Sequence, residues 1–345
     1  MIFLSLIAVL AIVHLTTFGP FLHRDAWFVG LLNRLRALPS ASYAPLLPMI
    51  LALVIPLVLL VISILAVSFW DERDHGPSPY LFFIYVPVLL YSLGRGNFIA
   101  EVNHYIATAT RGDTVMASKI VNDLRGQVDL SEKGSENDSD ISDWKALHTQ
   151  ALKVISYREF ERTFAVLFWF FIAGAIGALL YRLSVIYREQ TLPNTAEAQL
   201  AERWLWLIEW PAVRLMGLTW AFVGNFDSCP WRESLLDTQS SSVTILNNSL
   251  RGALSAPTDA YRQTGGTNSE HNKPETAQEA AEVFALANGN AQEVIEDLVG
   301  ITLSPQVEPA YSFALVKSSI PLYSRSLLFC VGVIAFATLF NITSF

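Results

Sequence analysis

The sequence predicts an all-α fold: a polytopic membrane protein of about 4 to 6 membrane helices, one of them re-entrant or spanning, with amphipathic helices on the cytoplasmic side. Three observations lead there. Of 345 residues, 52% are hydrophobic and only 16% charged, whereas soluble proteins are roughly a quarter charged. The apolar residues gather into blocks that approach the ~20 residues a helix needs to cross the hydrocarbon core. The polar stretches between the blocks repeat their apolar residues at helical spacing.

The elements follow in order. Residues 1–15 are an apolar run with no basic stretch before it and no small-residue cleavage site, which predicts an uncleaved first helix, short for a full span. Residues 45–69 (PLLPMILALVIPLVLLVISILAVSF) carry no charge and are the clearest span; Pro56 inside them is tolerated in a membrane helix and bends it. A polar turn at 71–79 leads to residues 80–93 (YLFFIYVPVLLYSL), the start of a second span. Tyrosines and Trp70 mark the interface at its ends. These N-terminal residues, 1–93, form the first region.

Residues 94–162 are predicted as a cytoplasmic helical loop, with amphipathic helices at 97–124 and 144–160 flanking a Ser/Asp/Glu-rich solvated tract at 129–143. Residues 163–226 form a central membrane region. Its first block, 164–183, is interrupted by Gly174 and Gly177, which allows either a closely packed span or a hairpin broken at those glycines. Its second, 204–224, has span length but carries Glu209, Pro211 and Arg214, so it either crosses the membrane or lies in the interface. Residues 227–319 are a second cytoplasmic loop, with disorder expected near Gly265 and one helical pattern at 277–298. Residues 320–345 close the chain with a final membrane helix.

Charge gives orientation. Arg24, Arg34 and Arg36 face one acid, Asp25, in the first loop, whereas the 71–79 turn has one arginine against three acids. The positive-inside rule places the first loop and 94–162 in the cytoplasm of a bacterial inner membrane. In the re-entrant reading Arg158 and Arg162 share a side with Arg182 and Arg188. A net charge of −8 argues against a nucleic-acid partner. Cys229 and Cys330 lie far apart and read as packing thiols.

Several groups could carry chemistry. Glu101-Val-Asn-His104 has the spacing of a carboxylate–histidine metal pair, but no second pair exists to complete a site, and no metal is expected. The phosphate-binding loop, zincin and nucleophile-elbow motifs are absent. Arg111 and Asp113 bracket Gly112 where one helix gives way to another, so Asp113 is either a helix cap or, with Arg111, a contact for a polar ligand. Arg158 and Arg162, with Arg182 beyond the apolar block, are either interfacial charges or an anion-binding rim. Glu209 and Arg214 are charges deep in apolar sequence, expected to pair with each other, with Arg182 or with Glu161, as a structural pair or as part of a site. Together Arg111, Asp113, Arg158, Arg162, Arg182, Glu209 and Arg214 are the candidate ligand-binding residues, expected around one cytoplasm-facing polar pocket.

The string REFERTFAVLFWFFIAGAIGALLYRL at 158–183 resembles the AmpE family and, more distantly, the adenosylcobinamide-phosphate synthases (CobD/CbiB), which carry a similar APLFW…GAxGALxYR passage. Two further stretches, ATATRGDTVMA at 107–117 and WPAVRLMGLTWAFVGN at 210–225, are similar to the same family in the same order. His23-Arg24-Asp25-Ala26-Trp27 stands where the synthases have their acidic Asp-Pro and His-Pro-Val pattern. The AmpE resemblance implies an inner-membrane regulatory protein linked to β-lactamase induction and cell-wall recycling; the alternative is an ATP-dependent amide-forming synthase of the cobinamide-phosphate type. The expected partners are the lipid bilayer, a small anionic ligand of muropeptide or nucleotide type, and a second copy or another protein. No cofactor is assigned.

Overall fold

The computed structural model describes residues 2–15, 25–37, 46–71, 79–93, 98–126, 144–192, 195–226, 228–237, 240–254 and 308–339, and among them it is helical with no strand. The tract at 129–143, the disorder expected near Gly265 and the helical pattern at 277–298 lie outside these residues. The helices are α1 (Ile2–Leu15), α2 (Ala26–Arg36), α3 (Leu46–Asp71), α4 (Phe82–Ser92), α5 (Phe98–Thr110), α6 (Thr114–Arg125), α7 (Trp144–Glu159), α8 (Ala165–Glu189), α9 (Ala196–Val223), α10 (Trp231–Leu236), α11 (Ser242–Ala253) and α12 (Glu308–Leu339). The 3₁₀ turn Pro79–Leu81 precedes α4, and the π-helical turn Phe160–Phe164 joins α7 to α8.

Among the described residues, three segments are long and apolar enough to cross a membrane: Leu46–Phe69, Trp144–Glu189 and Ser312–Ala337. This is an all-α membrane protein. The α4 segment departs from the expected span. Its helix has 11 residues, about half of what the hydrocarbon core requires. The final helix starts earlier than expected, at Glu308, and takes Pro321 into its interior.

The chain divides into two compact units. The first holds Met1–Phe98, Phe160–Ala212 and Val333–Phe345; the second holds Ile99–Glu159 and Val213–Gly332. In the first unit, Phe28 and Leu32 of α2, Met49, Ala52 and Leu53 of α3, and Leu179, Leu183 and Ile186 of α8 form the apolar core. Helix α2 was not foreseen, since the first loop was read only for its charge. Its apolar residues on one face and Arg34 and Arg36 in its last turn, where they favour the helix dipole, explain it.

The decisive feature of this unit is α8. Ala173 and Gly174 leave helical geometry, Gly174 at φ 61° and ψ −149°, a conformation open essentially to glycine alone. Glu161 and Arg188 nevertheless form an ion pair of 2.5 Å. A straight helix would hold them roughly 40 Å apart, so the chain doubles back at Gly174. Gly177 makes the return possible, because a Cβ there would run into the carbonyl oxygen of Trp169. Two arms, 165–172 and 175–189, thus lie side by side. The geometry is the broken hairpin that the glycines allowed rather than a simple span. Helix α4 packs on this hairpin, with the Tyr85 ring 6.2 Å from that of Phe170 and its hydroxyl beside Gly174.

In the second unit, α6 and α11 pack on α7. Val102, Val121, Leu147, Ile155 and Leu250 are buried there. The turn between α5 and α6 uses Gly112 at φ 77°, and the Asp113 carboxylate caps α6 by accepting the Met116 amide at 2.9 Å. Helix α11 begins with Ser241, whose hydroxyl accepts the Thr244 amide at 3.2 Å.

Candidate functional site

The returning arm of α8 gathers the polar chemistry of the first unit. Tyr181, Arg182, Ser184, Tyr187 and Arg188 lie on it, and each meets a polar group of another segment. Tyr181 donates to the Glu209 carboxylate at 3.1 Å, and the Trp204 indole N–H donates to Ser184 at 3.0 Å. Tyr187 donates to Glu197 Oε1 at 2.7 Å, which also takes two bonds from Arg36, at 3.0 and 2.7 Å. Arg36 further donates to the Gln190 carbonyl at 3.1 Å. The alternation of partners along one arm shows α9 running antiparallel to it through Glu197, Trp204 and Glu209. Charged groups in such apolar surroundings are costly unless paired.

Three ion pairs among the described residues of this unit are not alike. Arg188–Glu161 is short and buried, with side chains 7% and 3% exposed. Arg36–Glu197 is short and partly open. Arg182–Asp25 is buried but long, at 3.4 Å, beyond the 2.7–2.9 Å of a strong charge-assisted bond. Arg182 Nε finds no hydrogen-bond partner among the described residues. Asp25, just before α2, also accepts the Tyr91 hydroxyl at 3.1 Å. Tyr91 lies 6.1 Å, ring to ring, from the half-exposed Trp27.

The candidate residues divide between the units. Arg162, Arg182 and Glu209 belong to the first; Arg162 sits over the Phe98 ring at 5.7 Å. Arg111, Asp113, Arg158 and Arg214 belong to the second. Arg111 and Asp113 are exposed, and Asp113 caps α6. Arg158 is buried and closes the end of α6, donating to the carbonyls of Leu124 and Arg125 at 2.8 and 2.9 Å. Gly126 leaves room for this, as a Cβ there would stand 2.6 Å from the guanidinium. Arg214 likewise donates to main-chain oxygens, those of Leu235 and Asp237.

Among the described residues Glu161 pairs with Arg188 and Arg182 with Asp25. Asp25, Tyr91 and Arg188 were not among the predicted residues. Asp25 stood at the position where the acidic pattern of the synthases would fall, the one sequence signal that pointed to it. Glu159 is buried as well, at 4% exposed. Among the described residues, no three or more His, Cys, Asp or Glu side chains are grouped to hold a metal ion.

The second unit has a separate polar contact. The Tyr105 hydroxyl lies 2.7 Å from His148 Nδ1, with the His148 ring stacked on Trp144. Burial raises the Tyr105 pKa above that of a free phenol. Cys229 is buried and its thiol is pushed up to about 12 by burial. Its burial fits the packing thiol expected from the sequence.

The family described as Regulatory signalling modulator protein AmpE matches residues 1–261. No curated protein and no solved structure matches the chain.

Proposed function

The chain belongs to the AmpE family of regulatory signalling modulators, and we propose that it senses a polar anionic ligand from the cytoplasmic side of the bacterial inner membrane, in a role tied to β-lactamase induction and cell-wall recycling. The observation that carries this reading is Arg182. It is a guanidinium 6% exposed, held in an apolar helical hairpin by one long ion pair, with Nε unpartnered among the described residues. A buried cation with spare donors is costly to keep. An anionic ligand that takes up those donors offsets the cost. Arg162 and Glu209 belong to the same unit, and the tyrosine-linked carboxylates along the returning arm fix its position. Arg111, Asp113, Arg158 and Arg214 contribute by shaping the second unit, through the helix cap and main-chain contacts already described. The positive-inside argument supports the cytoplasmic orientation.

The amide-forming synthase alternative gains no support. It asks for converging carboxylates from Asp113, Glu159, Glu161 and Glu209, and the contacts described for Asp113, Glu161 and Glu209 lead to the Met116 amide, Arg188 and Tyr181.

The test is β-lactamase induction in a strain lacking the gene, complemented with each variant, with the protein level in the membrane measured alongside. Arg182→Ala should lower induction by roughly 10- to 100-fold, since a hydrogen bond to a charged group is worth about 1.5–3 kcal/mol, while Arg182→Lys recovers part of it. Full induction by Arg182→Ala at normal protein level would overturn the proposal.

A further inference from the structure

We propose that the elbow between α9 and α10 lies in the interfacial layer of the bilayer, its aromatic rings among the lipid headgroups and Arg232 at the level of the lipid phosphates. The sequence reading puts this stretch in a cytoplasmic loop from residue 227 onward, but its surface is unlike that of a loop in water. Phe222, near the end of α9, is 60% exposed, and Leu236, which ends α10, is 81% exposed. Phe226 between them is exposed as well. The backbone that carries these side chains is nevertheless fixed. The Asn225 amide donates to the Ala253 carbonyl at 2.9 Å, and the Asn225 side-chain oxygen accepts the Ser228 amide at 3.2 Å. Arg214 holds the far end through the carbonyls of Leu235 and Asp237. Large apolar side chains displayed together on a fixed backbone mark a contact surface.

What the rings join decides what covers them. They form one chain: the Trp231 ring lies 5.4 Å from Phe226, Phe226 lies 5.7 Å from Phe222, and Phe222 stacks at 6.1 Å on Phe329 of α12. All four belong to the second unit. Helix α12 carries one of the segments long and apolar enough to cross a membrane, and Phe329 stands one turn beyond Arg325, the last charged residue of the chain. A charge is costly in the hydrocarbon core, so an exposed arginine followed by uncharged helix marks where that helix leaves the headgroup layer. The ring chain carries this level across from α12 to α9 and α10. Aromatic side chains such as Trp231 concentrate at that depth. Arg232 completes the pattern. Its exposed guanidinium lies over the Trp231 ring at 5.1 Å from the centroid, and the planar fork of a guanidinium suits a phosphate. A soluble partner protein would account for the exposed rings but not for their alignment with the last charge of a membrane helix.

The measurement is the depth of a spin label. Leu236→Cys is labelled with a nitroxide in full-length protein carrying Cys229→Ala and Cys330→Ala, in nanodiscs of phosphatidylcholine and phosphatidylglycerol. Its relaxation by oxygen, which concentrates in lipid, is compared with its relaxation by a water-soluble nickel chelate. Leu65→Cys, exposed on the apolar α3, and Asn122→Cys, exposed on α6, supply the hydrocarbon and water values. The Leu236 label should fall between them. Arg232→Glu should shift it toward the water value, and the shift should be larger with phosphatidylglycerol present than in phosphatidylcholine alone. Arg232→Lys, which keeps the charge, should leave the label where it is.

A Leu236 label as accessible to the nickel chelate as the Asn122 label would overturn the membrane contact. Shielding from both reagents would overturn it too, by showing that protein covers the surface. A value equal to that of the Leu65 label would put α10 in the hydrocarbon core and overturn its place among the headgroups. An unchanged depth in Arg232→Glu would overturn the phosphate contact.

Discussion

Glu161 and Arg188 show at the scale of single residues what this membrane protein does with charge. Their pair is buried on both sides and closes the base of the α8 hairpin at 2.5 Å. Removing one member leaves the other charged and desolvated, which costs about 3–5 kcal/mol. Arg188→Ala should therefore lower the unfolding free energy in detergent by that amount. The neutral double variant Glu161→Gln/Arg188→Met should recover most of it, since a well-packed neutral pair is often as stable as the ionic one. A loss below about 1 kcal/mol in Arg188→Ala would show that the pair does not hold the hairpin shut. Such pairs are the part least legible in sequence. Asp25 and Arg182 are separated by 157 positions, and nothing in local spacing links them. Glu161 and Arg188 stand out only once the chain is known to reverse between them. The helix cap at Asp113 was legible because capping depends on three or four consecutive residues.

The hairpin itself belongs to the scale of the element. Its sequence signal was the pair Gly174 and Gly177 inside an apolar block, which left two readings open because small residues serve both close packing and chain reversal. The reversal prevails through backbone geometry. Gly174 adopts a conformation that costs other residues about 1–3 kcal/mol, and Gly177 lies against the Trp169 main chain. Gly174→Ala and Gly177→Ala should each lower thermal stability in detergent by about 1–3 kcal/mol. Gly30→Ala serves as the control: it lies inside α2 with open space around its Cβ position, so alanine there should be neutral or stabilise by up to about 1 kcal/mol through helix propensity. Equal behaviour of all three variants would contradict the hairpin geometry. By contrast, α3 was plain in the sequence because an uncharged run of that length has few alternatives. Helices α2 and α11 were not, because short amphipathic helices within polar loops are fixed by what they pack against.

For the whole molecule, the reversal turns the longest apolar segment into a pair of adjacent arms. The block folds back on itself instead of continuing as one straight helix, bringing Arg188 to the same end of the hairpin as Glu161 and Arg162. Irregular backbone at membrane depth survives where protein covers its polar groups, and α4 packs on the hairpin through Tyr85. The returning arm then presents its polar side chains to α2 and α9 and builds the ion pairs on which the ligand reading rests. All of this depends on the chain turning back at Gly174. The direct measurement is a spin-label distance between Thr163→Cys and Leu192→Cys, in full-length protein carrying Cys229→Ala and Cys330→Ala and reconstituted in nanodiscs. The folded-back hairpin predicts a separation of roughly 15–25 Å, the spacing of packed helices plus the label linkers. A distribution centred at roughly 44 Å, the length of a continuous straight helix between these positions, would contradict it.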